Sequence, residues 1–245
     1  MDYREYKLTF SERWRCLGSA LLLGGAIAYL FYDSWFGLLL VPMLFGIIRK
    51  RQISFGIEKI QEQLAKEFLD ALRSVSSSLL AGLSMENSWK EAQKEIERAY
   101  GKDAFLYREL DSMNHSVGFN MPLEQLLADF AARSGNADIA SFSEVFAFAK
   151  RSGGNFVTII EGTTGHMRAR YETEREIQVL VASRKLEQKV MNLMPMMILA
   201  YLKVTSSGFM DVLYGNVAGV LFMSVCLLAY GGAMVLAERI LDIRM

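Results

Sequence analysis

From Ser152 to Leu202 the chain reads SGGNFVTIIEGTTGHMRARYETEREIQVLVASRKLEQKVMNLMPMMILAYL, with no proline before Pro195. Apolar residues recur at helical spacing through Phe156, Ile159, Ile160, Met167, Ile177, Leu180 and Val181. A charged middle (Arg168, Arg170, Glu172, Glu174, Arg175, Glu176) is embedded in this pattern, and after Lys189 charge disappears until Lys203. A helix that is amphipathic at one end and wholly apolar at the other needs two solvents. The pattern predicts a rod, tens of ångströms long at about 1.5 Å per residue, that leaves a water-exposed bundle and enters a bilayer.

The rest of the chain divides in the same way. Its 245 residues are 52% hydrophobic yet 22% charged, with zero formal net charge, and the two classes are segregated. Four segments are candidate membrane spans: Cys16–Tyr32, Trp35–Ile48, a third from Val190 past Leu202, and Val217–Ala237. Asp33 and Ser34 alone separate the first two, which predicts a tight hairpin. Lys203 interrupts the third, so its ammonium must reach an interface, and Pro195 predicts a kink there. No small-residue cleavage site follows the first run, which reads as a retained anchor rather than a signal peptide. Arg4, Lys7, Arg13 and Arg15 precede the first span, Arg49, Lys50 and Arg51 follow the second, and Arg239 and Arg244 follow the fourth. That bias places both termini and the long middle section on the cytoplasmic side. The expected plan is a cytoplasmic segment (1–15), a membrane hairpin (16–48), a cytoplasmic helical domain (49–189), a membrane pair (190–237) joined by an outer loop (about 204–216), and a tail (238–245). Ala20, Gly24 and Ala28 in the first span, Pro195 in the third, and Gly215 and Gly219 near the start of the fourth are candidate helix-packing positions.

Between Gln52 and Lys189 no alternating run suggests a strand. Successive stripes at three-four spacing predict amphipathic helices: Ile57, Ile60, Leu64, Phe68, Ala71, Val75 and Leu79; Met85, Trp89, Ala92 and Ile96; Leu106, Leu110, Met113 and Val117; Leu123, Leu126, Leu127 and Phe130; Ile139, Phe142, Val145, Phe146 and Ala149. Their punctuation repeats. In Gly82-Leu83-Ser84 and Gly118-Phe119-Asn120 the glycine is expected to end one helix in the left-handed region, and Ser84 or Asn120 to cap the next. Pro122 is expected in the first turn of its helix. Gly153, Gly154 and Asn155 give a shorter turn before the long rod. The predicted class is all-α: stacked antiparallel helical hairpins whose last helix continues into the membrane.

No catalytic, cofactor or metal constellation is present in the sequence. His115 and His166 lack partners at metal-ligand spacing, Ser152-Gly153-Gly154 lacks the lysine of a phosphate loop, and there is no nucleophile elbow. Cys16 and Cys226 each sit in an apolar run, which predicts packed thiols rather than a disulfide. The middle section carries 17 basic and 20 acidic residues, a balance that argues against nucleic acid. Arg168, Arg170 and Glu172 are candidate partner contacts, although a mixed run of this kind also suits the wet face of a helix.

The order of these parts resembles the F-domain platform proteins of type II secretion and type IV pilus machines, and most closely the shorter tight-adherence (Tad/Flp) type. The resemblance rests on LLAGLS (Leu79–Ser84), GFNMPLEQLL (Gly118–Leu127), the segment around Arg133, SGGNF (Ser152–Phe156), RAR (Arg168–Arg170), the membrane entry at Pro195 and FMDVLY (Phe209–Tyr214). The Asn-Pro usual after the third span is absent; Gly208-Phe209 stands near that place. The resemblance implies a scaffold in the bacterial cytoplasmic membrane without catalysis of its own. It further implies a cytoplasmic assembly ATPase and a pilin or pseudopilin as partners, membrane lipid around the spans, and pairing with a second copy or a companion F-domain protein. A small-solute transporter or channel, with Asp33, Lys203 and Asp211 as its charges, and a membrane-anchored sensor are the alternatives from other classes.

Overall fold

The computed structural model describes residues 3–4, 10–32, 41–152, 156–205, 214 and 216–241. Every regular element among them is helical: α1 (Phe10–Ile27), α2 (Val41–Leu80), α3 (Met85–Tyr100), α4 (Phe105–Gly118), α5 (Leu123–Ser134), α6 (Ala137–Ser152), α7 (Phe156–Thr205) and α8 (Val217–Leu241). A π-helical turn, Ala28–Tyr32, follows α1. The Asp33-Ser34 connection, the start of the expected second span, the turn Gly153-Gly154-Asn155, and Gly208, Phe209, Asp211 and Gly215 of the expected outer loop lie outside the described residues.

These residues fall into two compact units. The first takes in Tyr3, Arg4 and Ile53–Glu172; the second takes in the described parts of Leu8–Gln52 and Thr173–Met245. Both boundaries fall inside helices, in α2 and in α7, so each of these helices belongs to both units. Hydropathy alone sets the second boundary at Lys189. The compact division comes earlier because α7 buries only Ile160 and Met167 in the core of the first unit; past them Leu180 is 73% exposed, and the helix meets apolar neighbours again only at Met196, Leu199 and Ala200, in the second unit.

In the first unit the expected stripes meet in one core. Phe68 of α2 lies at its centre, 5.3 Å from the ring of Phe142, 6.0 Å from Phe130 and 6.5 Å from Trp89 between centroids. Aromatic pairs at these distances add to the gain from burial. Val145 departs from expectation: it is exposed while Ile139, Phe142, Phe146 and Ala149 are buried, because it falls at the edge of the stripe those four define. Short turns set α3 beside α4 and α5 beside α6.

The turns combine one expectation met and one displaced. After α2, Gly82 takes φ +88°, its amide donates to the Leu79 carbonyl (2.9 Å) and the Leu83 amide to the Ser78 carbonyl (3.0 Å). This is the six-to-one, five-to-two closure of a left-handed helix end. Ser84 then accepts from the Asn87 amide and caps α3. After α4 the same closure occurs two residues later than expected. Gly118 remains helical, and Asn120 is the left-handed residue (φ +62°). The Asn120 amide donates to Val117 (3.0 Å) and the Met121 amide to Ser116 (3.2 Å). Asn120 therefore closes α4 instead of capping α5, a role asparagine fills because its short polar side chain tolerates this region. Pro122 stands at the N-cap of α5 with extended ψ, one position before the first turn where it was expected.

In the second unit two helices are long and apolar enough to cross a membrane: Phe10–Phe31, with mean hydropathy 1.4, and Ala218–Ile240, with 2.2. The other two expected spans do not add to these among the described residues. The second is described only from Val41 and continues into the basic Arg49–Arg51, and the apolar part of the third, Val190–Leu202, falls short of the roughly 20 residues a span needs. Along α1, Cys16, Ala20 and Gly24 are buried, and a Cβ at Gly24 would meet the Val41 side chain at 2.5 Å. Leu30, Phe31 and Met223 form a small core. On α8, Leu221, Phe222, Leu228 and Ile240 are exposed apolar side chains that water would solvate poorly.

Candidate functional site

Three sites stand out, each within a single unit. The first is an apolar groove of about 580 Å³ in the second unit, lined by Phe31, Met191, Met194, Pro195, Ile198, Leu199, Cys226 and Tyr230. Pro195 cannot donate an amide hydrogen bond and its ring crowds the carbonyl of Met191, one turn back. In the same turn the Tyr230 hydroxyl of α8 donates to the Asn192 carbonyl, one residue beyond the carbonyl that the proline leaves without its donor. Methionine makes such a groove adaptable, since its unbranched chain repacks against different shapes.

The second site explains the charge that interrupts the third apolar run. The last carbonyls of a helix have no partner within it. Here the Lys203 ammonium donates to the Tyr29 carbonyl and the Tyr214 hydroxyl to the Leu30 carbonyl, both in the π-helical turn. The same ammonium lies 3.6 Å from the centroid of the Tyr29 ring and 5.2 Å from that of Tyr214, within cation–π range. Lys203 thus closes the end of the helix that contains the first candidate span.

The third site belongs to the first unit. Glu109 of α4 takes Arg133 of α5 in a two-pronged pair, Nη1 to Oε1 at 2.8 Å and Nη2 to Oε2 at 2.9 Å. The Tyr3 hydroxyl donates to the same carboxylate at 3.0 Å, and the Tyr3 amide donates to the Arg133 carbonyl at 3.1 Å. The Tyr3 ring meets Phe105 edge-on. Burial pushes the Glu109 carboxyl up, but its hydrogen bonds and charge pairing with Arg133, helped by Tyr3, outweigh burial and hold it below the usual carboxylate range. The Tyr3 phenol is raised by burial and by that carboxylate. Beside this cluster Gly135 takes φ +66°, and a Cβ there would meet Gln61 Nε2 at 2.7 Å and Arg4 Cγ at 3.2 Å; the glycine lets the N-terminal arm lie close.

The expected partner contacts are engaged within the unit. Arg168 pairs with Glu172 along the helix at 2.7 Å, both side chains well exposed. Arg170 pairs with Asp138 of α6 at 3.0 Å, and the neighbouring Tyr171 hydroxyl donates to the Glu62 carbonyl of α2 at 2.9 Å. Together they fasten α7 where it leaves the core. Gly219 is half-buried in the first turn of α8.

No family model, curated protein or solved structure matches this chain.

Two buried carboxylates escaped the sequence reading. Glu67, fully buried, accepts from the Leu106 amide at 2.8 Å and from Gln63 at 2.9 Å. It serves as the missing N-cap of α4, whose own cap residue, Ala104, has no side-chain acceptor. The available signal was its position between Leu64 and Phe68 on an apolar stripe, where a charge has no place without a partner. Glu109 sits likewise beside Leu106 and Leu110.

Proposed function

We propose that this chain is a non-catalytic platform of a tight-adherence pilus or type II secretion machine in the bacterial cytoplasmic membrane. In this reading it crosses the membrane four times with both termini cytoplasmic, and couples a cytoplasmic assembly ATPase to the addition of pilin or pseudopilin subunits. The observation that carries the reading is the continuity of α7. It is one helix from Phe156, in the helical bundle, to Thr205, past Pro195 in the apolar groove. A continuous helix transmits displacement that a jointed chain would absorb. Two helices apolar enough for a bilayer and an apolar groove suited to a sliding apolar helix, with Met191 and Met194 in its wall, support it further, as does the order of sequence motifs. Lys203, which a transporter would need as an intramembrane charge, is accounted for as a helix cap.

The test is affinity capture of the full chain from gently solubilised membranes, with co-purifying proteins identified by mass spectrometry. The platform reading expects a secretion-type ATPase together with a pilin-like or second F-domain protein. An Ile198→Ser variant, altered only in the groove, should lose the pilin-like protein and keep the ATPase. Capture of the chain alone, or with a bound solute or ion, would overturn the reading.

A further inference from the structure

Near the start of α1, Arg13 and Cys16 of α1 and Phe45 and Arg49 of α2 line a cavity of about 270 Å³. Both arginines are exposed, and among the described residues neither makes an ion pair or hydrogen bond. Their neighbours differ. Arg51, two residues beyond Arg49, is held by Glu238 at 2.9 Å, and the Cys16 thiol donates to Gln52 at 2.8 Å. Among the described residues, the charged groups lining the cavity are two guanidinium forks, groups matched to phosphate oxygens in planar, two-pronged geometry. Arg13 also lies in the first turn of α1, the positive end of the helix dipole, where a cation is disfavoured until an anion joins it.

The surroundings identify the anion's source. Phe10 and Trp14, 75% and 62% exposed, stand at the same end of α1, their rings 6.2 Å apart. Aromatic side chains of this kind gather at the headgroup level of a bilayer, and basic pockets between membrane helices bind anionic headgroups. We propose that Arg13 and Arg49 form a binding site for the phosphate of an anionic phospholipid, with Cys16 and Phe45 completing the cavity. The site rests on the reading of α1 as a membrane span. It goes beyond the platform function by fixing which lipid class the protein holds and where.

The experiment uses the full chain in nanodiscs of phosphatidylcholine containing phosphatidylglycerol, followed by detergent extraction and native mass spectrometry of retained lipid. The expected result is selective retention of phosphatidylglycerol. It should fall roughly thirtyfold in the R13Q/R49Q variant, at about 1 kcal/mol for each arginine and tenfold per 1.4 kcal/mol. An R15Q/K50Q variant, which removes two neighbouring charges outside the cavity, should retain as the parent does. Equal retention by R13Q/R49Q, or equal loss in both variants, would overturn the site. Binding of inorganic phosphate to the extracted chain, lost in R13Q/R49Q, with no phosphatidylglycerol retained would assign the arginines to a soluble phosphate and overturn the lipid. Alkaline carbonate extraction of membranes separates the two levels: release of the chain refutes the span itself, whereas an inserted chain with unselective retention refutes only this site.

Discussion

Substituting Arg133 by methionine should turn the Glu109 site from a stabilising element into a liability. Glu109 has a side chain only 7% exposed, and Arg133, 29% exposed, gives it two hydrogen bonds and its counter-charge. Removing one partner of a buried pair costs about 3–5 kcal/mol because the other charge is stranded. The partial exposure of Arg133 sets the expectation at the lower end, about 3 kcal/mol. Removing both charges in an E109L/R133M variant should cost less than R133M alone, since no charge is left buried. Acid dependence gives a second sign to check. In the parent the Glu109 pKa is lowered from 4.5, so the pair's contribution is present above pH 4.5 and is lost as pH falls through the lowered value. In R133M burial dominates and raises that pKa, so the variant gains stability as pH falls through it. The assay is denaturant unfolding in mild detergent, followed by the fluorescence of Trp89 in a background with Trp14 and Trp35 changed to phenylalanine. Additive losses in the double variant, or the same acid slope in parent and R133M, would refute the reasoning.

Three further outcomes are expected. Asn120→Val should lower stability by about 1–2 kcal/mol, because a β-branched residue is strained at φ +62°, whereas Asn120→Gly should be close to neutral; thermal unfolding of the two variants distinguishes them. Glu67→Ala should cost about 2–3 kcal/mol by leaving the buried Leu106 amide without its acceptor, and hydrogen exchange at Leu106 should accelerate. Lys203→Met should destabilise the second unit by about 1–2 kcal/mol through loss of the donor to Tyr29, while Lys203→Arg should restore most of it; protease resistance of the reconstituted chain reports the difference.

The helical stripes were legible because burial follows spacing. Leu64, Phe68, Ala71 and Val75 share a face by periodicity alone, and all four are buried. The closure at Gly82 was legible because only glycine takes φ +88° readily. The closure at Asn120 is not legible because Gly118, Phe119 and Asn120 offer two left-handed candidates, and sequence does not register where the last helical turn stops. Pro195 is legible as a kink and a packing position, but its companions Phe31, Cys226 and Tyr230 come from the π-helical turn and α8, which no local pattern connects. Glu109, Arg133 and Tyr3 were beyond reach for the same reason: each is an ordinary residue in its own segment, and the site exists only once three distant segments meet.

The Tyr3 clamp also bears on the order in which the chain reaches its final form. Tyr3 and Glu109 are separated by 106 positions, and contacts of such long sequence separation form slowly because loop closure must be met before they reward it. During synthesis, α1 emerges long before α4 and α5 exist to offer Glu109 and Arg133. Tyr3 has no docking partner until most of the helical bundle has been made. A nascent chain truncated before Arg133 would leave Tyr3 undocked, and its docking would mark completion of the bundle. Tyr3 is made 106 positions before Glu109 and finds its place only after it.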